Sequence, residues 1–277
     1  MTTEADFLEQ LQTAIRGNRI TLPTLPEVAL RVRDAVEQED ATAQKIAEMV
    51  ATDAALSARL LQVANSPLYR GMVLIESIQM AITRLGYRLV RSLVISLAMK
   101  QIFQATTDTL DKRLRSIWEE SVQIAAISRA LAQSLPHLER EQALLAGLIH
   151  NIGSLPILTM AENYPEFIGD EKRLDALLKN LNPIIGKQIL ETWNFSESLI
   201  RVPEHYQELD YDGGPMADYV DVVLVARLQA LGQNDGSERV DWTQIPAFRK
   251  VGLEPEVESI EIEGVQENME EIQAVFL

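Results

Sequence analysis

Residues 143–156 read A-L-L-A-G-L-I-H-N-I-G-S-L-P. Apolar side chains recur here at the spacing of a helix that is buried over much of its surface: Leu144, Leu145, Leu148, Ile149 and Ile152. Gly153 stands where a helix would end on a left-handed residue, and Pro156 follows shortly after it. The stretch therefore predicts a buried helix whose last turn carries two polar side chains, His150 and Asn151.

Helical spacing of apolar residues continues on both sides of this stretch. In the first part of the chain it predicts a short amphipathic helix over 5–16 and a strongly apolar helix over 88–103. Between them, Thr42, Asp53 and Ser77 are predicted to cap three further helices. Later helices are predicted at 110–132, 139–152, 172–181, 183–193, 197–204, 216–231 and 267–276. Strand-like alternation is suggested only at 257–262, so the fold class is all-α.

The polar stretch at 104–109, Q-A-T-T-D-T, predicts a boundary between two helical sub-domains. The expected organisation is an N-terminal helix at 1–19, a helical sub-domain at 20–104, a second at 110–235 and an acidic C-terminal segment at 240–277. The linker between the two sub-domains is short. We therefore expect them to pack together and unfold as one cooperative unit.

Composition excludes several classes of function. The 277 residues include no cysteine, so neither a disulfide framework nor a thiolate site is expected. A net charge of −16 argues against general nucleic-acid binding, which needs an excess of Lys and Arg. Uninterrupted apolar runs are short and no signal peptide is evident at the N-terminus. The sequence therefore predicts a cytoplasmic protein that binds neither nucleic acid nor membrane.

Residues 252–277 hold eight glutamates and no Lys, Arg or Asp. Such a segment is usually a solvated face, and a docking surface for a basic partner is the alternative. However, Met269, Ile272 and Phe276 fall at i, i+3 and i+7 and form one helical stripe. We therefore expect the acidic segment to dock as a helix, at least in part.

Three separated blocks of the first half carry a resemblance to a known family. They are L-P-T-L-P-E-V at 22–28, T-D-A-A-L-S-A-R-L-L-Q-V-A-N-S-P-L-Y-R at 52–70, and S-I-Q-M-A-I-T-R-L-G at 77–86. The blocks resemble the HDOD family, the HD-related output domains of bacterial signalling proteins. One departure is Asp53-Ala54, where the family usually has Asp-Pro. Over roughly residues 20–275, the resemblance implies a non-catalytic helical sub-domain packed on a degenerate HD-type helical bundle.

Catalytic HD phosphohydrolases hold metal through a His, a His-Asp pair and a later Asp. The resemblance places Glu120, within W-E-E-S at 118–121, at the first His position. It places His150 and Asn151 at the pair, and Arg227, within V-A-R-L-Q-A-L, at the late Asp. Asn151 offers only a neutral carbonyl oxygen and Arg227 would repel a cation. No metal, cofactor or catalytic residue is therefore expected, and His150 is interpreted as a hydrogen-bonded buried histidine.

The other two histidines give little support to a metal site. His137 follows Pro136 in a predicted loop and has no evident partner in the sequence. His205, within P-E-H-Y, is predicted to lie on the surface or in a loop. Neither stands at ligand spacing from His150.

Two groups of polar residues in the first half are candidate contacts for a partner or an anion. Arg84, Arg88 and Arg91 cluster around Gly86. The favoured interpretation is that they complement the dipole of a helix that Gly86 ends, and an anion or partner site is the alternative. The second group, Asn65, Tyr69 and Arg70, lies on a predicted loop, where binding groups tend to gather, although Asn65 could instead cap its helix.

Three functions follow from these observations. The leading hypothesis is a non-enzymatic signal-transduction module that binds a partner protein. The second is a metal-dependent HD-type phosphohydrolase or cyclic-dinucleotide phosphodiesterase, against which the replaced ligands argue. The third is a metal-free nucleotide-binding module in which Arg227 faces a phosphate. The sequence specifies neither the partner nor the signal nor the oligomeric state.

Overall fold

The computed structural model describes residues 3–17, 19–38, 41–69, 71–103, 108–232, 241–254 and 265–277. The described residues form helices and contain no strand, which confirms the all-α fold class. The strand-like alternation at 257–262 lies outside the described residues.

The described residues of the first half of the chain, up to Phe103, form six helices. They are α1 (Glu4–Arg16), α2 (Glu27–Val36), α3 (Ala43–Val50), α4 (Ala54–Ala64), α5 (Ile78–Leu85) and α6 (Tyr87–Ile102). Three of them begin at the side chains predicted to cap them. Thr42 accepts from Lys45 N at 3.2 Å, Asp53 from Leu56 N at 2.9 Å, and Ser77 from Met80 N at 3.1 Å. Between α5 and α6, Gly86 adopts a φ of 84°, which ends α5 and redirects the chain.

The second half begins with the long helix α7. Its helices are α7 (Asp108–Leu131), α8 (Arg140–Ile149), α9 (Ser154–Ala161), α10 (Pro165–Ile168), α11 (Glu171–Thr192), α12 (Glu197–His205), α13 (Tyr219–Leu231), α14 (Pro246–Val251) and α15 (Val265–Phe276). Helices α7 and α8 pack along each other, and α13 and α15 both pack on α7. This arrangement makes α7 and α8 the centre of the second half.

The prediction of two helices at 172–181 and 183–193 was wrong, because α11 runs through Pro183 without a break. Proline has no N–H, so it cannot donate to the carbonyl of Lys179 four residues earlier. The side chain of Gln207 replaces that donor, with Nε2 3.2 Å from Lys179 O. A contact from a distant part of the chain therefore satisfies the carbonyl that the proline leaves without its helical bond.

The expectation that Gly153 is left-handed was also wrong, since its φ is −63°. The chain turns after α8 and enters α9, in whose first turn Pro156 is tolerated. What requires glycine here is the close approach of α11. A Cβ on Gly153 would lie 2.6 Å from Asn182 O and 2.7 Å from Gly186 N.

One cluster of buried apolar side chains runs through both halves of the chain, from Phe7 in α1 to Phe276 in α15. Helix α6 contributes to it from the first half and packs against α8. One described segment, Arg140–Ala161, is long and apolar enough to cross a membrane, but 94% of its apolar window is buried inside the protein. Here that segment, comprising α8 and α9, is part of the core.

The C-terminal helix α15 docks through its apolar stripe. Ile272 and Phe276 are buried, Met269 is half-buried, and Val265 is buried at the start of the helix. Trp118 Nε1 in α7 donates to Phe276 O at 2.9 Å, and Lys100 Nζ in α6 lies 2.8 Å from Leu277 O. The end of the chain therefore contacts helices of both halves.

Candidate functional site

His150 lies immediately after α8 and is 1% exposed. Its Nδ1 donates to Gly147 O at 2.7 Å, and its ring stands edge-on to Tyr206 at a centroid distance of 4.8 Å. Burial lowers the pKa of His150 to about 4, with a further decrease from the charge of Arg227, although the bond to Gly147 opposes the shift. At neutral pH the imidazole is therefore uncharged.

The neighbouring Asn151 is tied to α7. Its Oδ1 lies 3.1 Å from Ser121 Oγ, which also lies 2.7 Å from Ile117 O. Asn151 Oδ1 and Ile117 O can only accept hydrogen bonds, so they share the single hydroxyl hydrogen of Ser121. All the groups in this contact are buried. The amide oxygen that replaces a carboxylate is thus engaged within the protein.

Asn182 joins α11 to the same corner. Its side chain is 1% exposed, and Nδ2 donates to His150 O at 3.0 Å and to Tyr206 Oη at 3.2 Å. Gln207 Nε2 donates to the same Tyr206 hydroxyl at 2.8 Å. Burial raises the pKa of Tyr206 to about 12, so this hydroxyl is neutral. Asn182 Oδ1 has no hydrogen-bond partner among the described residues.

Glu120 and Arg227 provide the charges of the site. Glu120 lies on α7 next to Ser121, and burial raises its pKa, while the charges of Arg227 and Arg113 lower it. Arg227 projects from α13 with its guanidinium carbon 5.8 Å from the centre of the Tyr206 ring. The charge of Arg227 acts on the pKa values of Glu120, His150 and Tyr206. Glu120, His150 and Arg227 therefore lie near Tyr206, and Asn151 adjoins them through Ser121 on α7.

The donor set at this site does not fit a divalent cation. A metal of the HD type needs anionic carboxylate ligands, but Asn151 is a neutral amide already bonded to Ser121. Arg227 adds a positive charge close enough to depress the pKa of His150. No group of three or more His, Cys, Asp or Glu side chains in the described part of the chain is arranged to hold a metal ion.

The other two histidines lie apart from this site. His137 does have a partner, which the sequence did not reveal, because its Nε2 lies 2.8 Å from Ala217 O. His205 is the last residue of α12 rather than a loop residue. Its Nδ1 lies 2.9 Å from Glu208 Oε2, and its ring contacts Tyr211 at 5.3 Å. Both histidines take part in local packing and hydrogen bonding.

The candidate loop after α4 is closed at its base by Asn65. Asn65 Nδ2 donates to Leu61 O at 3.0 Å, at the end of α4, and to Ile75 O at 2.8 Å. Asn65 Oδ1 accepts from Ile75 N at 2.8 Å. The side chain therefore serves both its own helix and the far end of the loop.

Tyr69 connects this loop to the second half of the chain. Its hydroxyl donates to Glu141 Oε2 in α8, and Arg129 Nε in α7 binds Glu141 Oε1 at 2.9 Å. The Arg129 guanidinium also lies over the Tyr69 ring at 5.4 Å. Burial, followed by the charge of Glu141, raises the pKa of Tyr69 well above its ordinary value. Arg70 lies outside the described residues.

The three arginines around Gly86 do not converge on one anion site. Arg84, in the last turn of α5, donates to Val73 O in the loop. Arg88 pairs with Glu139 at 3.3 Å and Arg91 with Glu37 at 3.1 Å. Arg84 fits the dipole interpretation, because it lies in the last turn of α5, whereas Arg88 and Arg91 belong to α6 and lie near its positive end.

Comparison with known proteins identifies the family. The family model of the HDOD domain matches residues 22–209, which is more than half of the chain. The chain belongs to the HDOD family. This HDOD chain is 31% identical to a protein of known structure from Shewanella amazonensis SB2B that has been provisionally named a metal-dependent phosphohydrolase. The TM-score is 0.82, and 100% of each chain is covered.

Two more distant relatives extend the comparison. A signal transduction protein, provisionally so named, from Marinobacter aquaeolei VT8 is 21% identical with a TM-score of 0.67. The match covers 99% of the HDOD chain and 65% of that protein. An uncharacterized protein of Treponema pallidum (strain Nichols) is 26% identical over 219 residues, 73% of this chain. The alignment spans only 40% of the length of that relative.

Three residues of the HDOD site were missed by sequence reasoning: Ser121, Asn182 and Tyr206. Each lies next in sequence to a residue that attracted attention for another reason, namely Glu120, Pro183 and His205. The available signal was Asn182, an asparagine within the apolar repeat of α11, because a buried polar residue requires hydrogen-bond partners.

Proposed function

We propose that this HDOD chain is a non-enzymatic module of bacterial signal transduction that acts by binding a partner protein. The observation that supports the proposal most directly is the presence of Arg227 and Asn151, instead of two carboxylates, beside the buried neutral His150. Hydrolysis of a phosphate ester by an HD-type site depends on a metal ion that activates water. A site with this donor set provides a cation and amide hydrogen bonds instead.

The side chains at the former metal position contribute to helix packing and form hydrogen bonds with other buried polar groups. His150, Asn151 and Asn182 connect α8 to α7, α11 and the end of α12 through buried hydrogen bonds and the Tyr206 ring. Buried polar groups that are hydrogen-bonded in this way specify how helices pack. A stable helical scaffold that presents surfaces to other proteins fits the family membership of the chain.

Two measurements on the full chain test this function. Capture of the tagged chain from its native cytoplasm, followed by quantitative mass spectrometry, should return a stoichiometric protein partner. The purified chain, assayed with added Mn²⁺, should hydrolyse neither cyclic dinucleotides nor nucleoside phosphates. Metal-dependent turnover that is lost in His150→Ala would overturn the non-enzymatic assignment. Capture of no partner would argue against the binding role.

A second candidate, metal-free nucleotide binding, rests on Arg227. Its guanidinium makes no hydrogen bond to any described residue, although it lies over Tyr206 and acts on the pKa of Glu120. A guanidinium of this kind can bind a phosphate. Isothermal titration of the chain with nucleoside phosphates tests this candidate, which requires saturable binding that Arg227→Ala abolishes.

A further inference from the structure

The loop between α4 and α5 presents consecutive apolar side chains to solvent. Met72 is fully exposed, and Val73 and Leu74 retain 59% and 65% of their exposure. The other large apolar side chains that the described residues expose are isolated in sequence: Tyr87, Ile184, Met216 and Leu277. Single exposed apolar residues are common on protein surfaces, whereas a contiguous group marks an interaction site. We call residues 72–74 the apolar tip.

The backbone that carries the apolar tip is held on several sides. Asn65 bonds both the N–H and the C=O of Ile75, whose own side chain is buried. Arg84 donates to Val73 O within the tip itself. Before the tip, Tyr69 is fixed to Glu141. Because these bonds order the loop in advance, a partner that binds the tip avoids much of the entropy cost of ordering it.

An open groove of about 470 Å³ lies between the start of α6 and the start of α8. Leu85, Tyr87 and Leu89 provide apolar side chains in its lining. Glu141, which accepts the hydrogen bond from Tyr69, lines the groove. Leu85 also lines it and follows Arg84, whose side chain donates to Val73 O in the tip. The tip and the groove are therefore linked through Arg84 and Tyr69.

The charges around this surface differ in sign from the chain as a whole. Arg84, Arg88 and Arg140 carry positive charges here, and Arg140 is exposed. Of the nearby acids, Glu139 pairs with Arg88 and Glu141 is bound by Arg129, which leaves the exposed Glu76. The balance is weakly positive on a chain whose net charge is −16. A groove between two helices admits a helical segment, whereas a bilayer surface is flat, so a protein segment fits this surface better than a membrane.

We propose that the apolar tip and the groove dock an amphipathic, acidic segment of a partner protein. Apolar side chains of the segment pack on Met72, Leu74 and Tyr87, and one of its carboxylates pairs with Arg140 at the rim. This inference rests on the proposed function, because it names the surface and the partner chemistry that a protein-binding module requires. Helix-in-groove binding uses this combination of spaced apolar anchors and a polar rim.

A displayed library of random peptides provides a defined probe. The full chain is the bait, and the peptides have about 16 residues, or about four helical turns. Enriched peptides should place apolar residues three or four positions apart with Asp or Glu between them. Labelled copies of these peptides should bind the double variant Met72→Asp/Leu74→Asp at least about tenfold more weakly than the unmodified chain.

Two further variants provide the controls. Met216→Asp changes another exposed methionine, 59% exposed and on the segment before α13, and should leave binding unchanged. Arg140→Glu should weaken binding and reduce its dependence on salt concentration. Thermal unfolding should be the same for all variants as for the unmodified chain, because the changed side chains are exposed.

Several outcomes overturn this docking site. Enriched peptides that lack acidic residues, or that bind the double variant as well as the unmodified chain, contradict it. A dimer in light scattering that the double variant abolishes would assign the surface to a second copy of this chain. Co-sedimentation with phosphatidylglycerol vesicles that the double variant abolishes would assign it to a membrane. A native partner that the double variant still captures removes this site but leaves the proposed function intact.

Discussion

The hydroxyl of Ser121 lies 3.1 Å from Oδ1 of Asn151, a contact that joins the middle of α7 to the turn after α8. Asn151 stands where the related hydrolases, by resemblance, have a carboxylate that faces a metal. An amide is neutral and can be buried against a serine hydroxyl without the large desolvation cost of a carboxylate. At a position that the resemblance assigns to a metal ligand, the contact is therefore part of the helix packing.

The first prediction concerns restoration of the ligand set. The triple variant Glu120→His/Asn151→Asp/Arg227→Asp should acquire a divalent ion, because it replaces a cation and an amide with carboxylates and adds an imidazole. Elemental analysis after dialysis against Mn²⁺ and then buffer measures the gain. The unmodified chain should retain no stoichiometric metal. Adding His150→Ala to the triple variant should remove the gain, and metal on the unmodified chain that is lost in His150→Ala would contradict the prediction.

The second prediction concerns acid stability. The pKa of His150 is about 4 in the fold against 6.5 for an ordinary histidine, so the unfolded chain binds a proton that the folded chain excludes. The free energy of unfolding should therefore decrease as the pH falls from about 6.5 to about 4, by up to about 1.4 kcal/mol per pH unit from this group. Denaturant titrations across this range measure the decrease.

The variant His150→Gln isolates that contribution, because glutamine does not titrate. It should be less stable than the unmodified chain at pH 7, since it loses the contact with Tyr206. The difference in stability should then shrink as the pH falls toward 4. If the two stability profiles remain parallel, a different titrating group governs the acid sensitivity.

The third prediction concerns the link between the loop and α8. Tyr69→Phe removes the hydroxyl that donates to Glu141 and leaves a buried carboxylate oxygen without that partner. The free energy of unfolding should fall by about 1–3 kcal/mol. Amide hydrogen exchange at residues 71–75 should accelerate, because Tyr69 helps to order the loop. Tyr87→Phe, at an exposed tyrosine, is the matched control, and equal effects of the two variants would contradict the role of the bond.

The fourth prediction concerns docking of the acidic C-terminal helix. Phe276 is 2% exposed, whereas the adjacent Leu277 is 54% exposed. Phe276→Ala should lower the free energy of unfolding by about 3–5 kcal/mol, while Leu277→Ala should have little effect. Calorimetry measures the melting temperature of each variant, and binding of the dye ANS measures its exposed apolar surface. If Phe276→Ala melts like the unmodified chain and binds no more dye, then α15 does not contribute to the core in solution.

Local features of the sequence predicted the helical class and many helix boundaries. Thr42, Asp53 and Ser77 could be recognised as caps because an N-cap bonds to an amide two or three residues later. Gly86 could be recognised as a helix end because only glycine adopts its φ of 84° without strain. The departures from the ligand set that the resemblance implies were likewise readable, since residue identity alone shows that Asn151 and Arg227 are not carboxylates.

Features that depend on distant contacts were not readable. Pro183 was expected to divide a helix, but Gln207 supplies the missing donor to Lys179 O from 28 residues away. Gly153 was expected to end a helix in a left-handed conformation, but its backbone is right-handed. Its lack of a side chain instead leaves room for the backbone of α11. In both cases a partner from elsewhere in the chain overrode the local preference.

The sequence by itself determined that this chain is helical and that other residues stand where the resemblance places metal ligands, because both depend on residue type and short-range spacing. Only the tertiary structure decided which side chains surround His150. Asn182 and Tyr206 reach His150 from positions 32 and 56 residues further along the chain, and no local pattern encodes that encounter. The same holds for Tyr69 and Glu141, which are 72 residues apart and meet because α8 packs beside the first half of the chain.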